Sequence, residues 1–158
     1  MPKHFKWLLL LSEIAIAFLF ASCPAQLLEG GAPPYAITKP VWRIAGPDDG
    51  CELGGIFFDF YTKTEKEIIF IETCMNVFDK STGELAFTGA GGLASGTACS
   101  IGKKQKKNLC IPLDDYICRT EGLVLCPDNF FVKKIKYADG TIWQDSWGHY
   151  SYSAGEEA

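Results

Sequence analysis

A β-hairpin predicted near the C-terminus constrains the fold more than any other feature of the sequence. Two runs of strand-forming residues lie between positions 129 and 150, on either side of Ala138-Asp139-Gly140. If these three residues form a loop with Gly140 in a left-handed conformation, Ile135 pairs with Trp143 and two apolar side chains share one face. A two-residue loop would place apolar residues opposite polar ones. We therefore predict an antiparallel pair with the three-residue loop.

Further strand signals alternate with turn signals along the chain. Residues 89–107 are rich in small and basic residues and are predicted to form a loop, while Asp114-Asp115 could cap one helical turn. The longest strand run carries apolar residues on both faces, which favours a central place in a sheet. The pattern predicts an all-β fold, an antiparallel β-sandwich of about seven strands. Besides the hairpin, the predicted strands are residues 41–44, 55–62, 67–79, 84–88 and 108–113.

Composition excludes some classes of protein. The 158 residues are 47% hydrophobic and 22% charged, as expected for one globular domain. The formal net charge is −4, so no overall positive field attracts nucleic acid. We therefore expect no nucleic-acid partner.

Residues 1–22 are predicted to be a signal peptide. Lys3 and Lys6 precede an apolar stretch, residues 7–21, that is shorter than the ~20 residues needed to span a bilayer. Glu13 lies within this stretch and further disfavours a transmembrane helix. A cleavable export signal fits both observations.

Phe20-Ala21-Ser22-Cys23 resembles the lipobox of bacterial lipoproteins, in which small residues precede a cysteine that is acylated and becomes N-terminal after cleavage. We therefore expect the lipid bilayer to be a partner through acylated Cys23, because several acyl chains on one residue give stable attachment. The alternative is an ordinary signal peptide with an incidental cysteine.

The remaining chain is predicted to have three parts. Residues 23–40 carry glycine and proline without periodicity and are predicted to be a flexible tether. Residues 41–150 are predicted to be the sandwich, and the polar residues 151–158 a disordered tail.

Three segments carry a resemblance to a family. The succession FFDFYTKTEKEI, VFDKSTGELAFTG and KKIKYADGTIWQD is similar to a group of small spirochaete lipoproteins with an immunoglobulin-like or fibronectin-III-like domain. The resemblance covers residues 41–150, and its most specific part is the last segment. It implies an immunoglobulin-like β-sandwich at the cell envelope, and no catalytic residues.

The cysteines allow two interpretations. An even number remains after Cys23, which permits three disulfides in an exported domain, with fifteen connectivities. Cys118 and Cys126 flank a short irregular segment and are the first pair to consider. Alternatively, several are buried free thiols. The spacing contains no Cys-x-x-Cys pair and no nearby histidine, so we expect neither a metal site nor a cofactor. The cysteines in question are Cys51, Cys74, Cys99, Cys110, Cys118 and Cys126.

Two groups of residues could bind a ligand. Trp143, Trp147 and Tyr150 form either a carbohydrate-stacking face or the closed end of the sandwich. A lysine cluster is either a solvated loop that protects a strand edge or a patch for anionic glycans or lipid headgroups. Its members are Lys103, Lys104, Lys106 and Lys107.

Catalysis is not expected. His149 is the one histidine beyond residue 22, and we expect the polar tail beside it to offer no ordered partner. The sequence predicts a membrane-anchored envelope lipoprotein whose sandwich is a non-enzymatic interaction or adhesion module for an unknown protein or glycan. The alternatives are a periplasm-facing structural or assembly component and, third, a hydrolase.

Overall fold

A computed structural model of the protein describes residues 27–28, 32–87 and 92–152, with the backbone alone at residues 27–28. Nine strands and no helix occur within these ranges. The prediction of an all-β chain is therefore confirmed for the part described. The strands are β1 (Leu27–Leu28), β2 (Tyr35–Ile37), β3 (Val41–Ile44), β4 (Gly54–Thr62), β5 (Ile68–Asp79), β6 (Leu93–Ile101), β7 (Lys106–Pro112), β8 (Leu125–Tyr137) and β9 (Ile142–Gln144).

The strands form two sheets. The larger has the order β1-β9-β8-β5-β6, and its neighbours are antiparallel except for the parallel pair β1–β9. In the smaller sheet β4 is central: β7 pairs along one edge, and β2 and β3 follow one another along the other edge. All pairs in this sheet are antiparallel.

The core lies between the two sheets. Phe58 of β4 and Phe130 of β8 meet edge to face, with ring centroids 4.8 Å apart. Strand alternation places apolar residues inward on both sheets, so the two inner faces bury them together. The largest fully buried side chains are Phe60, Phe130, Ile56, Ile68, Ile71, Met75, Ile101, Ile111, Leu113, Ile135 and Val132. Two antiparallel layers around one apolar core are the arrangement of a β-sandwich.

The closing hairpin has the predicted register. Ile135 pairs with Trp143, and Gly140 has a φ of +83°. The Gly140 N–H donates to the Tyr137 carbonyl at 3.0 Å, which closes the three-residue loop. The central position predicted for the longest strand is also confirmed, since β5 lies between β6 and β8.

The loop predicted at residues 89–107 is wrong, because β6 occupies its middle. This strand carries small residues on its outer face, where the ring of Phe70 lies over Gly96. A Cβ at Gly96 would lie 2.7 Å from Phe70 Cζ, so a residue without a side chain suits the position. The small residues therefore belong to a strand with an exposed outer face, on which an aromatic ring lies over Gly96, and not to a loop.

The strand predicted at residues 84–88 is also wrong within the described part. It is reduced to one bridge, Phe78 to Leu85, because the chain leaves the sheet after the turn at Gly83. Asp114 caps no helix: its carboxylate accepts backbone N–H groups of Glu52 and Leu53 instead. Together with the unpredicted β1, β2 and β6, these changes account for nine strands in place of about seven.

The flexible tether predicted at residues 23–40 is wrong for β1 and β2. Tyr35 is buried, and β2 pairs with β4 from Tyr35↔Thr62 to Ile37↔Phe60. The segment around β2 has no periodic sequence pattern, but it is held in place by backbone pairing with β4 and by the buried ring of Tyr35. At the other end Tyr152 bridges to Phe130, so ordered structure extends beyond residue 150. Residues 1–26 and 153–158, which include the predicted signal peptide and most of the predicted tail, lie outside the described residues.

Candidate binding site

A turn that follows β9 is built around the carboxylate of Asp145. Its Oδ1 accepts the backbone N–H groups of Trp147 at 3.3 Å and His149 at 3.1 Å, and its Oδ2 accepts that of Tyr150 at 3.1 Å. The Asp145 N–H donates to the Lys133 carbonyl on β8 at 2.9 Å. One buried side chain therefore fixes the backbone of residues 147–150 against the hairpin.

The electrostatics of Asp145 favour its charged form. Burial on its own would raise the pKa of this carboxyl group, which is 4% exposed. The N–H groups of His149 and Tyr150, the His149 ring and the Trp147 N–H donate to it, and together they hold its pKa below the usual value. Asp145 is therefore an ionised, fully hydrogen-bonded anchor at neutral pH.

The turn borders an open recess of about 410 Å³ beside β9. Trp147 stands on its rim and is 85% exposed. Trp143 forms its floor and is 4% exposed, with the ring packed edge-on against Tyr35 at 5.4 Å. The recess is lined by Trp143, Gln144, Asp145, Ser146, Trp147, His149 and Tyr150.

The structure separates the aromatic residues that the sequence grouped as one surface. Trp143 belongs to the core, because it points inward from β9 opposite Ile135. Tyr150 is half-buried and lies 6.3 Å from Trp143, centroid to centroid. Trp147 is thus the member of the group that offers a largely exposed ring for stacking.

His149 has an ordered partner, Asp145, which precedes it in the chain and is not part of the polar tail. Its Nδ1 lies 3.1 Å from Asp145 Oδ1, although 69% of its side chain is exposed. In the part of the chain that the structure describes, no hydroxyl or thiol group is hydrogen-bonded to this ring. An ordered Asp–His pair with an exposed ring can hydrogen-bond a ligand.

The lysine cluster is divided between a turn and an edge strand. Lys103 and Lys104 both pair with Glu65, at 4.0 and 2.6 Å, and Lys106 pairs with Asp59 at 2.8 Å. Lys107 Nζ donates to the Ser100 carbonyl at 3.4 Å. Two carboxylates, Glu65 and Asp59, balance half of the charge of these four lysines, which weakens the attraction of the cluster for an anionic ligand.

All six cysteines in the described residues are free thiols. Cys118 is exposed in the loop before β8, and Cys126 is half-buried on β8. A different pair has its sulfur atoms in contact, Cys51 and Cys110, at 3.3 Å. The lipidation candidate, Cys23, lies outside the described residues.

The described ranges contain neither a cluster of metal ligands nor a helix that could span a membrane. No group of three or more His, Cys, Asp or Glu side chains there is placed to hold a metal ion. None of the secondary structure in those ranges is a helix of the length and apolarity that a membrane span requires.

Sequence reasoning missed Asp145, the residue that builds the site. Its signal was available: Asp145 precedes Gly148 by three positions, a spacing that type I β-turns favour. Gly148 has a φ of +69°, a conformation that glycine adopts without steric cost. The fourfold coordination of the carboxylate depends on its burial beneath the hairpin, which local sequence does not encode.

Comparison with known proteins finds no match for the chain among protein-family models, curated proteins or solved structures. A function can therefore be inferred from three features of the described residues: the recess beside Trp147, the lysine cluster and the cysteines.

Proposed function

We propose that the chain is a membrane-anchored envelope lipoprotein whose immunoglobulin-like β-sandwich is a non-enzymatic interaction module. The ligand site is the recess beside Trp147. The two antiparallel sheets and the closing hairpin support the immunoglobulin-like assignment, and the lipobox-like residues 20–23 support acylation at Cys23.

The exposure of Trp147 carries the proposal. A large apolar ring in water is unfavourable by about 1.5–3 kcal/mol relative to a buried one, so its place on a fixed turn calls for a compensating role. The turn is fixed because the Asp145 carboxylate accepts the backbone N–H groups of Trp147 and His149. Rigid, exposed tryptophans are typical of the residues that dominate binding energy at interfaces.

The lining of the recess favours a glycan as the ligand. A sugar ring has an apolar C–H face that stacks on an indole and hydroxyl groups at its edge that need hydrogen-bond partners. Gln144, Ser146 and His149 present polar side chains beside Trp147. The Gln144 Nε2–H donates to Ser146 Oγ at 2.6 Å, which leaves the Gln144 Oε1 as an acceptor for a hydroxyl group. One apolar platform with a few polar groups is the usual composition of a small-ligand site.

The test is glycan binding by the purified protein, first on an array and then by titration with the best ligand. We expect Trp147→Ala to weaken binding about tenfold or more, and Trp147→Phe to weaken it less, since the smaller ring still stacks. Tyr116→Ala is the matched control, because Tyr116 is 51% exposed on a different surface.

Equal affinities for the wild type and Trp147→Ala would contradict the site. If a protein, and not a glycan, binds in a manner that depends on Trp147, the proposal of an interaction module stands and the proposal of a glycan ligand is wrong.

The anchor has its own test. Replacing Cys23 with alanine removes the sulfur that is acylated, so the variant should no longer enter the detergent phase on phase separation and should remain unprocessed or be cleaved at another position. Unchanged partitioning would show that another segment attaches the chain. Protease treatment of intact cells then distinguishes display at the surface from a periplasm-facing component.

A further inference from the structure

The sulfur atoms of Cys51 and Cys110 lie 3.3 Å apart although the residues are 59 positions apart in the chain. Cys51 belongs to the loop between β3 and β4, and Cys110 lies on the outer side of β7. A disulfide bond is about 2.05 Å long, so the sulfurs need to approach by only about 1.3 Å to form one.

The position of Cys51 is set by the backbone around it. Asp114 accepts the N–H groups of the next two residues, Glu52 at 2.9 Å and Leu53 at 2.8 Å. On the other side Asp49 accepts the Gly46 N–H at 2.6 Å and pairs with Arg43 at 3.0 Å. These contacts fasten the loop to the sheet on both sides of Cys51, so the thiol is held where it meets its partner.

The position of Cys110 is set by the sheet. Cys110 pairs with Phe57 of β4, and the Cys110 sulfur lies over Gly55. A Cβ at Gly55 would be 2.6 Å from Cys110 Sγ and 2.6 Å from the Ile111 carbonyl oxygen. The absence of a side chain at Gly55 therefore leaves room for the Cys110 sulfur, which a Cβ there would displace.

We propose that Cys51 and Cys110 form a disulfide when the chain meets a disulfide oxidant, such as the oxidised dithiol catalyst of an exporting compartment. Its formation in the cell rests on the proposed export, whereas the choice of pair rests on the geometry alone.

The reaction is a pair of thiol–disulfide exchanges. The Cys51 thiolate attacks one sulfur of the oxidant and expels the other as a thiolate, leaving a mixed disulfide on Cys51. The Cys110 thiolate then attacks the Cys51 sulfur and expels the second oxidant sulfur. The two protein thiols lose two protons and two electrons, and the oxidant gains the electrons as two thiols. Burial, and after it the hydrogen bond with Cys51, raises the pKa of the Cys110 thiol and disfavours its thiolate, so the second step depends on the proximity of the two sulfur atoms.

The bond would close a long loop in the unfolded chain and tie the β3–β4 loop to an edge strand. The same loop lies over the outer face of β4, where Phe57 is buried with the Arg43 guanidinium 3.9 Å from its ring. A cross-link there stabilises the packing around Phe57, and its entropic effect grows with the length of the closed loop.

Peptide mapping of the full-length protein, purified in detergent, tests the pair. The folded protein is treated with oxidised glutathione, its remaining thiols are blocked with N-ethylmaleimide, and it is digested with trypsin without reduction. We expect residues 44–63 joined to residues 108–119, a mass that disappears on reduction. Because the second peptide contains both Cys110 and Cys118, the Cys118→Ser variant is mapped beside the wild type and should retain the link, whereas Cys110→Ser should lose it.

Stability gives an independent measurement. Under oxidising conditions Cys51→Ser should melt lower than the wild type by on the order of 10 °C, and under reducing conditions the two should nearly coincide. Cys118→Ser should match the wild type in both. Blocked thiols at both Cys51 and Cys110 after oxidation, or a bond from either one to another cysteine, would overturn the proposal. The peptide map uses the wild-type chain, so the disulfide can be tested even if a variant fails to fold. The outcome of the glycan-binding test does not affect this result.

Discussion

At the scale of single residues, the carboxylate of Asp145 connects the fold to the candidate site. Among the described residues that are buried it is the one charged side chain, and three backbone N–H groups and the His149 ring take the place of water around it. A buried charge is tolerated when its lone pairs are satisfied in this way. The exposed position of Trp147 therefore depends on Asp145, which is itself almost fully buried.

Replacing Asp145 with alanine should lower the free energy of unfolding by about 2–3 kcal/mol, because hydrogen bonds to a buried charged acceptor are lost and their donors are left without partners. His149→Ala is the matched control: it removes one ring contact from an exposed side chain and keeps the backbone N–H, so it should change stability by less than about 1 kcal/mol. Denaturant unfolding of both variants measures the difference. Similar losses in the two would show that the ring, not the carboxylate, holds the turn.

The lowered pKa of Asp145 also predicts how stability depends on pH. The folded-state pKa lies below the unfolded value of about 3.9, so the contribution is complete at neutral pH. As the pH falls through about 4 the unfolded chain binds the proton first, and stability declines until the folded carboxyl group is protonated as well. Asp139 acts in the same direction, since its ion pair with Lys66, followed by hydrogen bonds from Thr141, lowers its pKa to about 2.

Melting temperatures between pH 7 and pH 3 test this. The wild type should lose stability in the acid part of the range, and Asp145→Asn, which has no proton to gain at this site, should lose less. Parallel curves for the two proteins would mean that other carboxyl groups account for the acid sensitivity.

At the scale of elements, local patterns predicted some strands well and others not at all. The hairpin register followed from residues close in sequence, because pairing Ile135 with Trp143 needs only a loop geometry and a shared face. The strand β6 was missed because its exposed outer face carries small residues that are typical of a loop, and the ring that lies over Gly96 belongs to Phe70 of a different strand. Strand β2 was missed because Tyr35 gains its burial from distant neighbours.

The hairpin gives a prediction at this scale. Gly140 has a φ of +83° and no atom within 4 Å of an added Cβ, so the effect of a substitution comes from the backbone alone. Gly140→Ala should cost about 1 kcal/mol and the β-branched Gly140→Val about 1–2 kcal/mol or more, whereas Gly140→Asn should cost less, since asparagine tolerates this conformation.

Thermal unfolding of the three variants gives the order. Asp139→Asn should be closer to the wild type than Gly140→Val, because it keeps a hydrogen-bonding side chain at an exposed position. Three equal melting temperatures would contradict a left-handed residue at position 140.

At the scale of the whole molecule, the sheets join distant parts of the chain. Tyr35 stacks on Phe60 at 5.3 Å and meets Trp143 edge-on at 5.4 Å, so a residue before the predicted domain boundary links the smaller sheet to the closing strand β9. Composition and strand patterns sufficed to predict two antiparallel layers. They could not predict where the domain starts, since a single buried ring carries no periodic signal.

Truncation measures how much of the fold begins before residue 41. A chain starting at residue 34 keeps β2, and one starting at residue 41 loses it together with Tyr35, which is 3% exposed. Both lack β1, so their difference reports residues 34–40, which contain β2 and the hydrogen bonds of Thr38 to Asp59. We expect the shorter chain to be less stable by about 3–5 kcal/mol, as for the loss of a buried aromatic side chain, with some further loss from its backbone pairing. Tyr35→Ala in the full-length chain should show most of this loss without removing the strand. If the two truncated chains unfold at the same denaturant concentration, the domain begins at residue 41 and the segment before it is the tether that its glycines and prolines predict.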